Sequence, residues 1–461
     1  MRAVWVASVG NLDWPSTNAI VSVARQRAEL AAILDRAAHL KLNTVILQVR
    51  PTSDALYNSS IEPWSEYLTG TMGKGPEPLY DPLAFAVEEA HKRGLELHAW
   101  FNPFRARDIS ARSPVSANHI SQTHPDWVYP YGKYLWLDPG EKGVQEHSLS
   151  VVMDVVKRYD IDGVHFDDYF YPYLEKEGGQ DRIFPDESSW SRYGAGGTMG
   201  RDDWRRENVN RFVQRTYQSI KALKPWVKFG ISPFGIWRPQ NPPGIKGKDT
   251  YAEIFADSRK WLMNGWVDYF APQLYWRIDD ADHSFSALLK WWEQQNTRSR
   301  LLCPGLNTIN FVAQQKPDEI LNEIRVTRKE PGASGHIHFR MSTLMHESTL
   351  GNGLERQLYS QPALVPACAW LSREAPEKPR LSVSGSGGQL AAGWEPGKPG
   401  EVWLWVLQTR MGKAWSTEIL PGAKRSYAFG RNSPDVVALT AISRLGNASR
   451  PVVLEHKTKA K

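Results

Sequence analysis

Short apolar runs alternate with longer segments of helical periodicity through the first 360 residues. Eight runs have the length and the β-branched or aromatic content of strands. We number them strands 1 to 8, and they cover residues 3–9, 44–50, 96–102, 163–168, 228–233, 269–275, 301–306 and 336–340. Eight strands in series, each followed by a helical segment, predict an α/β fold, the parallel (β/α)₈ TIM barrel.

The helical segments carry one apolar face each, as helices packed around a barrel require. Segment 82–93 has Pro82 in its first turn and stops before Gly94, which is the usual order of helix start and stop signals. The other clear segments are 25–40, 144–159, 204–223 and 251–264. They place a helix after most of the predicted strands and support the barrel.

Long connections follow strands 2, 4 and 5, at residues 51–81, 169–203 and 234–250. Connections that follow barrel strands form the C-terminal face, where barrel enzymes hold their active sites. Long loops on this face therefore predict a cleft for an extended substrate.

The pattern changes beyond about residue 361. Four prolines mark a linker at 361–379, and residues 380–455 then alternate with period 2 between turn signals, which predicts a small fibronectin-III-like β-sandwich. The barrel would span 1–360, and residues 456–461 would form a disordered tail. The sandwich is either a passive appendage or a glycan-binding module, and its sequence leaves both open.

Composition narrows the function only a little. The net charge is +6, but Lys and Arg form no block, so a nucleic-acid interface lacks support and a mild attraction for anionic polymers is expected. No apolar run reaches membrane-span length, and no signal-peptide pattern opens the chain. The 20 tryptophans suggest flat stacking platforms as well as core. Sugar rings and nucleic-acid bases both stack on such platforms, and the candidates are Trp64, Trp100, Trp237 and Trp276.

Strand 4 carries the strongest chemical signal, an Asp167–Asp168 pair at its end. Alternation along a strand places His165, Asp167 and Tyr169 on one face, toward the barrel mouth. Asp168 is assigned to the mouth less securely. Two adjacent carboxylates do not ionise together easily, so one pKa should rise, as a general acid at neutral pH requires.

Polar and aromatic residues end the other strands and converge on the same rim. Together with His165 and Tyr169, the candidate substrate-binding residues are Arg50, His98, Trp100, Asn102, Arg105, Gln273, Tyr275, Trp276, Asn307 and Arg340. This constellation predicts a carbohydrate-cleaving enzyme. A non-catalytic glycan-binding barrel and a metal-dependent deacetylase are the alternatives.

A second catalytic group is harder to find, because strands 5 to 8 end without a carboxylate. Two-carboxylate glycosidases hold their acids about 5–9.5 Å apart. Asp54 is the nearest candidate and we add it to the catalytic set, with Asp13 further away. The substrate's own 2-acetamido group is the other option. A metal site at His165 and the acid pair has no recognised spacing, and we predict no metal or cofactor.

Several longer motifs occur in a fixed order and resemble the bacterial glycosyl hydrolase-like 10 family over residues 2–340. They begin at Gln48 (QVRPTSDALY), Pro63 (PWS), Leu68 (LTG), Tyr80 (YDPL), His98 (HAWFNPFR), Leu137 (LDPG) and Asp162 (DGVHFDDYFYP).

The resemblance implies an enzyme that cleaves peptidoglycan strands stripped of stem peptides, in the periplasm or cell envelope and in connection with cell division. It implies a lipoprotein-type leader, which this sequence does not show, and a cell-division or envelope partner for the C-terminal module. A more distant similarity to exopolysaccharide-processing hydrolase domains matches Asp167 and Asp168 to the catalytic acids. Arg50, Arg105 and Arg340 are candidates to pair with the lactyl carboxylates of such strands.

Overall fold

Eight parallel strands form the first and larger part of the computed structural model, which describes residues 1–386, 389–430 and 433–455. The tail expected at 456–461 lies outside the described residues. The strands are β1 (Arg2–Val6), β2 (Thr44–Arg50), β3 (Glu96–Phe101), β4 (Gly163–Phe166), β5 (Lys228–Ile231), β6 (Tyr269–Phe270), β7 (Leu301–Leu302 and Gly305–Asn307) and β8 (His336–Phe339).

The sheet closes on itself through β7. Its first piece pairs with β6 and its second piece pairs with β8, while β1 to β6 pair in chain order and β8 pairs with β1. Pro304, which has no N–H to give to a ladder, lies between the two pieces. The predicted parallel barrel is confirmed.

Helices cover the outside of the barrel and link its strands. The helix that starts at Pro82 is capped by Asp81, whose carboxylate accepts hydrogen bonds from the next two free backbone N–H groups. The longer helices are Val23–His39, Pro82–Lys92, Lys142–Arg158, Arg201–Leu223, Ser258–Asn264, Phe285–Gln295 and Pro317–Lys329. Shorter ones are Glu66–Thr69, Ile120–Thr123, Glu187–Tyr193, Thr250–Glu253, Thr308–Ala313, Met341–His346, Ser348–Gly353, the 3₁₀ turns Val9–Asn11 and Pro125–Trp127, and the π-turn Leu354–Leu358.

Two loops on the C-terminal side contain small sheets of their own. After β3, the strands Arg105–Arg107, Val128–Tyr131 and Tyr134–Leu137 form an antiparallel sheet, and after β4, Lys176–Glu177 pairs with Gln180–Asp181. The first of these sheets holds Arg105 beside the barrel mouth. The sequence segment 251–264, expected as one helix, is two, separated around Phe255, whose φ is 54°.

A buried polar ladder fills the barrel interior beneath the mouth. His98 Nε2 lies 3.1 Å from Glu96 Oε2, and the hydroxyl of Tyr269 lies within 3.0 Å of both His98 Nδ1 and His165 Nδ1. Gly163 makes room for this layer, since a Cβ there would lie 2.5 Å from the His98 ring. The lower barrel is therefore packed and has no room for substrate.

The described part of residues 380–455 forms a separate β-rich module with its own apolar core. Arg380–Ser386, Gln389–Glu395 and Ser426–Ala428 make one antiparallel sheet, and Leu404–Met411, Ala414–Pro421, Val436–Ile442 and Val452–Glu455 make the other. Trp394 and Trp405 pack between the two sheets. This agrees with the predicted small β-sandwich after the barrel.

The module is fixed to the N-terminal face of the barrel, opposite the mouth. Arg444 donates to Asp162, the residue before β4, over 2.6 Å. His91 packs edge-on against Trp403 at 4.5 Å, and Trp370 in the 361–379 segment donates to Asp268 over 2.9 Å. The described part of the module therefore lines no part of the mouth. Among the described residues, no helix is long and apolar enough to cross a membrane.

Candidate active site

A cavity of about 300 Å³ opens at the C-terminal ends of the barrel strands. Every barrel strand except β7 supplies a residue to it, from the strand itself or from the loop directly after. Its walls are Trp5, Ala7, Val9, Leu12, Gln48, Trp100, Arg105, Asp167, Asp168, Tyr169, Ser232, Gln273, Tyr275 and Phe339. Seven of the sequence candidates thus meet in one cavity: Trp100, Arg105, Asp167, Asp168, Tyr169, Gln273 and Tyr275.

Asp167 is a buried carboxyl with an elevated pKa. Burial and the neighbouring Asp168 raise the pKa of Asp167 to about 7, against smaller opposing effects of Arg105 and Asn102. Asp167 Oδ2 accepts a 2.5 Å hydrogen bond from Asn102 Nδ2. A carboxyl with this pKa is half protonated near neutral pH and is able to give its proton to a leaving oxygen.

A chain of amides fixes how Asn102 faces Asp167. Gln48 Oε1 accepts from the backbone N–H groups of Ser8 and Val9, each at 2.9 Å, so the Gln48 amide nitrogen points to Asn102 Oδ1 at 2.6 Å. The Asn102 nitrogen is then the atom that faces Asp167. Asp167 Oδ2 accepts this short hydrogen bond, whereas Oδ1 accepts only a long one of 3.4 Å from the Tyr169 N–H, so the exchangeable proton is better placed on Oδ1.

Asp168 also lines the cavity, although strand alternation from Asp167 would turn it away. β4 ends at Phe166, so alternation does not fix the direction of Asp168, two residues beyond the end of the strand. Asp168 Oδ2 accepts from the Tyr173 hydroxyl. Burial raises the pKa of Asp168, and hydrogen bonds from Tyr173 and Gln273 oppose that rise. The two carboxyls therefore share the cavity but have different hydrogen-bond partners.

His165 lies beneath the cavity floor and does not reach the cavity. Its Nε2 accepts from the Trp5 indole N–H over 3.0 Å, and because an indole nitrogen only donates, the His165 proton sits on Nδ1, toward Tyr269. Burial and His98 hold the pKa of His165 well below its usual range. His165 is a neutral support for Trp5, which does line the cavity.

Two other candidates are engaged in buried contacts outside the cavity. Arg50 donates to both carboxylate oxygens of Glu62, at 2.8 and 2.5 Å, and to the Asn102 carbonyl. Asp54 is fully buried, its Oδ1 accepts from the Thr52 N–H at 3.0 Å, and burial raises its pKa to about 6. Neither side chain is placed to touch a substrate in the cavity.

The remaining candidates also lie outside the cavity. Asn307 caps the helix Thr308–Ala313, Arg340 Nε lies 3.6 Å from Asp13 Oδ1, and Trp276 stacks on His283 at 5.1 Å. His98 belongs to the ladder below the floor. Asn102 does not line the cavity but donates to Asp167, which does.

The sequence interpretation missed several residues of the cavity. Trp5 had a usable signal, because along the first strand it lies on the same face as Ala3 and Ala7, and this face points into the barrel. Ser232 and Phe339 stand at the ends of β5 and β8 and had the same positional signal. Tyr173, which donates to Asp168 but is not among the lining residues, had no such signal, since it lies in the irregular loop after β4.

Asp167 and Asp168 are the carboxylates among the cavity's lining residues, and the described part of the chain contains no group of three His, Cys, Asp or Glu side chains arranged to hold a metal ion. The adjacent acid pair gives the cavity groups that are able to transfer a proton. Tyr275, whose hydroxyl makes no hydrogen bond to any described residue, stands beside the pair and is able to donate to a ligand.

Comparisons with known proteins agree with this geometry. Residues 1–318 match the model of the family described as glycosyl hydrolase-like 10. The chain is 43% identical over 396 residues to glycosyl hydrolase YngK of Bacillus subtilis, covering 83% of this chain and 76% of that protein. It is 36% identical over 379 residues to glycosyl hydrolase DigH of Escherichia coli, covering 76% of this chain and 84% of that protein.

Two solved structures share the fold at low sequence identity. The glycoside hydrolase domain of PgaB (BpsB) from Bordetella bronchiseptica aligns with a TM-score of 0.51 and 10% identity, over 77% of this chain and 98% of that domain. The β-amylase catalytic domain of Paenibacillus polymyxa aligns with a TM-score of 0.50 and 10% identity, over 79% and 99%. With the family match and the curated relatives, the conclusion is that this chain belongs to the glycosyl hydrolase-like 10 family and is a glycoside hydrolase.

Proposed function

We propose that this glycoside hydrolase cleaves glycosidic bonds in N-acetylated cell-wall glycan, and that its substrate is peptidoglycan strands lacking stem peptides. The observation that carries the proposal is the acid pair, Asp167 with a pKa near 7 beside Asp168, in a cavity with no further lining carboxylate among the described residues. That arrangement supplies one proton donor and one anion, and it leaves the nucleophile to the substrate.

The 2-acetamido group of an N-acetylated sugar is such a nucleophile. Asp167 gives the proton on its Oδ1 to the leaving oxygen as the bond from that oxygen to the anomeric carbon breaks. The acetamido carbonyl oxygen bonds to the anomeric carbon from the other face, and Asp168 stabilises the positive charge on the acetamido nitrogen. Water, deprotonated by the Asp167 carboxylate, then opens the ring, so the anomeric configuration is retained. Tyr275 is suited to hold the acetamido group.

Location and partners follow from the proposed substrate. We place the reaction in the periplasm or cell envelope, and we propose that the C-terminal module contacts a cell-division or envelope protein. Supporting this, the module docks on the barrel face opposite the cavity, where a bound protein leaves the cavity open. Its outer surface includes Trp415, which is 52% exposed.

Mass spectrometry of the products from purified glycan strands, with and without stem peptides, tests the proposal. We expect new reducing ends, each with the mass of one added water, and more of them from strands without peptides. Binding without new ends would favour a glycan-binding scaffold. Acetate released in a chelator-sensitive manner would favour a deacetylase, and anhydro ends would rule out hydrolysis.

The pH dependence of cleavage follows from the pKa of Asp167. The donor must carry its proton, and that form predominates below about pH 7. We therefore expect kcat/KM on glycan strands to fall about tenfold per pH unit once the pH exceeds the pKa of Asp167. A kcat/KM that stays constant to about pH 9 would show that Asp167 is not the donor.

A further inference from the structure

Three arginines stand near the C-terminal ends of the barrel strands, and they differ in how their charges are balanced. Arg50 is neutralised by two hydrogen bonds to Glu62, and Arg340, whose Nε lacks a hydrogen bond, lies 3.6 Å from Asp13. Arg105 differs from both because it lines the cavity. Within the described residues the one carboxylate inside ion-pair distance is Asp108, 3.9 Å from Nη1 and not hydrogen-bonded, and Arg105 Nη2 has no partner.

The Arg105 side chain is nevertheless held in one position. It is 4% exposed, its Nε donates to the Pro51 carbonyl over 3.0 Å, and its guanidinium lies over the Tyr169 ring at 5.0 Å. A buried guanidinium nitrogen without an acceptor is costly, so a fixed one beside a cavity indicates a site arranged for an acceptor that the ligand brings.

Trp100, which lines the same cavity, also carries a buried donor without a partner, its indole N–H. Among the residues that line the cavity, the buried polar atoms left without a partner are these two donors. The polar character of this part of the wall favours a ligand that presents acceptor oxygens. The acceptor that suits a guanidinium best is a carboxylate, because it binds with charge assistance and in a forked geometry.

We infer that Arg105 forms a carboxylate-binding subsite that selects an acid-bearing sugar residue next to the scissile bond. The inference rests on the proposed function, since peptidoglycan strands without stem peptides expose the lactyl carboxylate of every second sugar. A peptide amide at that position removes the charge, and a polymer of N-acetylglucosamine alone has no such group. Arg105 would therefore make the enzyme prefer stripped strands to peptide-bearing strands and to polymers of N-acetylglucosamine.

The subsite also acts on the acid pair. The Arg105 charge lowers the pKa of Asp167. A substrate carboxylate that neutralises this charge weakens that effect, so the bound substrate favours the protonated, proton-donating form of Asp167. Arg105 is then a specificity-determining residue whose ligand also prepares the catalytic acid.

The test compares native stripped strands with strands whose lactyl carboxyls have been converted to methylamides. For the wild-type enzyme we expect kcat/KM to be about 10- to 100-fold lower on the amidated strands. For Arg105→Gln we expect a low kcat/KM on both and a ratio close to one, with Arg105→Lys intermediate. Arg107→Gln is the matched control, because Arg107 lies on the same short strand outside the cavity, and it should keep the wild-type ratio.

A wild-type enzyme that cleaves both kinds of strand equally, or an Arg105→Gln variant that keeps the wild-type ratio, overturns the inference. If neither strand is cleaved, the proposed function fails instead. Calorimetry with N-acetylmuramic acid and its methyl ester then still decides the subsite. The wild type should bind the acid more tightly than the ester, and Arg105→Gln should bind the two equally. Equal binding of acid and ester by the wild type would refute the carboxylate-binding subsite.

Discussion

Replacing Asp167 by Asn is expected to lower kcat/KM on glycan strands by about 10²- to 10⁴-fold without unfolding the protein. The amide is close in size and keeps contact with Asn102, but it has no acidic proton to give. Asp168→Asn should also be strongly impaired, because it removes the anion of the pair. Asp54→Asn is the matched control, a buried aspartate of raised pKa outside the cavity, and it should retain wild-type activity.

Asp167→Asn also has an expected effect on the pH dependence of stability, and measuring it separates loss of catalysis from loss of the fold. The pKa of Asp167 is raised from 3.8 to about 7 in the folded protein. A raised carboxyl pKa stabilises the folded state fully at pH values below the unfolded pKa, and this stabilisation is lost as the pH rises through the folded value. Thermal unfolding of Asp167→Asn should lack this part of the pH dependence. Wild-type kcat/KM in both Asp167→Asn and Asp168→Asn would disprove the assignment of the acids.

Replacing Arg50 by Met is expected to destabilise the fold by about 3–5 kcal/mol. Arg50 and Glu62 are each 1% exposed in their side chains. Burial alone would raise the pKa of Glu62, and Arg50 and His147 together lower it to about 2, so the carboxylate is charged in the folded protein. Without Arg50 this buried charge loses its main partner.

Urea unfolding measures the effect, and the double variant Arg50→Met with Glu62→Gln is the control. Removing the unpaired charge of Glu62 should recover most of the lost free energy of unfolding. The result also decides between two roles of Arg50. A stable Arg50→Met variant with a raised KM would show that Arg50 binds substrate, as its place at the end of β2 suggested.

The barrel and the position of the acid pair were predictable from the sequence because both depend on local repeats. Apolar runs of strand length between helical segments specify a parallel barrel, and in such a barrel all strand C-termini meet on one face. Asp167 follows the inward face of β4, so its place in the mouth required only the alternation of side chains. Gln273 and Tyr275 were found in the same way, from the strand expected at 269–275, of which the structure forms Tyr269–Phe270 as β6.

The contacts made by each polar residue at the rim were not predictable in this way. Arg50 ends β2 and Arg105 lies in the loop after the neighbouring β3, yet Arg50 is neutralised by Glu62 whereas Arg105 lines the cavity and keeps an unpartnered nitrogen. Glu62 reaches Arg50 through the long loop after β2, whose path is set by packing and not by a sequence repeat. No periodicity in the sequence distinguishes the two arginines.

The sequence by itself determined the barrel, the β-rich module after it, and the acid pair at the end of β4. The tertiary structure decided that Asp168 turns into the cavity, that Asp54 stays out of it, that Tyr173 contacts Asp168, and that Arg105 but not Arg50 lines the cavity. The physical reason is the range of the forces involved. The alternation of buried and exposed positions in a strand or helix is set by neighbouring residues in the sequence. The direction of a side chain beyond the end of a strand depends instead on partners from distant loops.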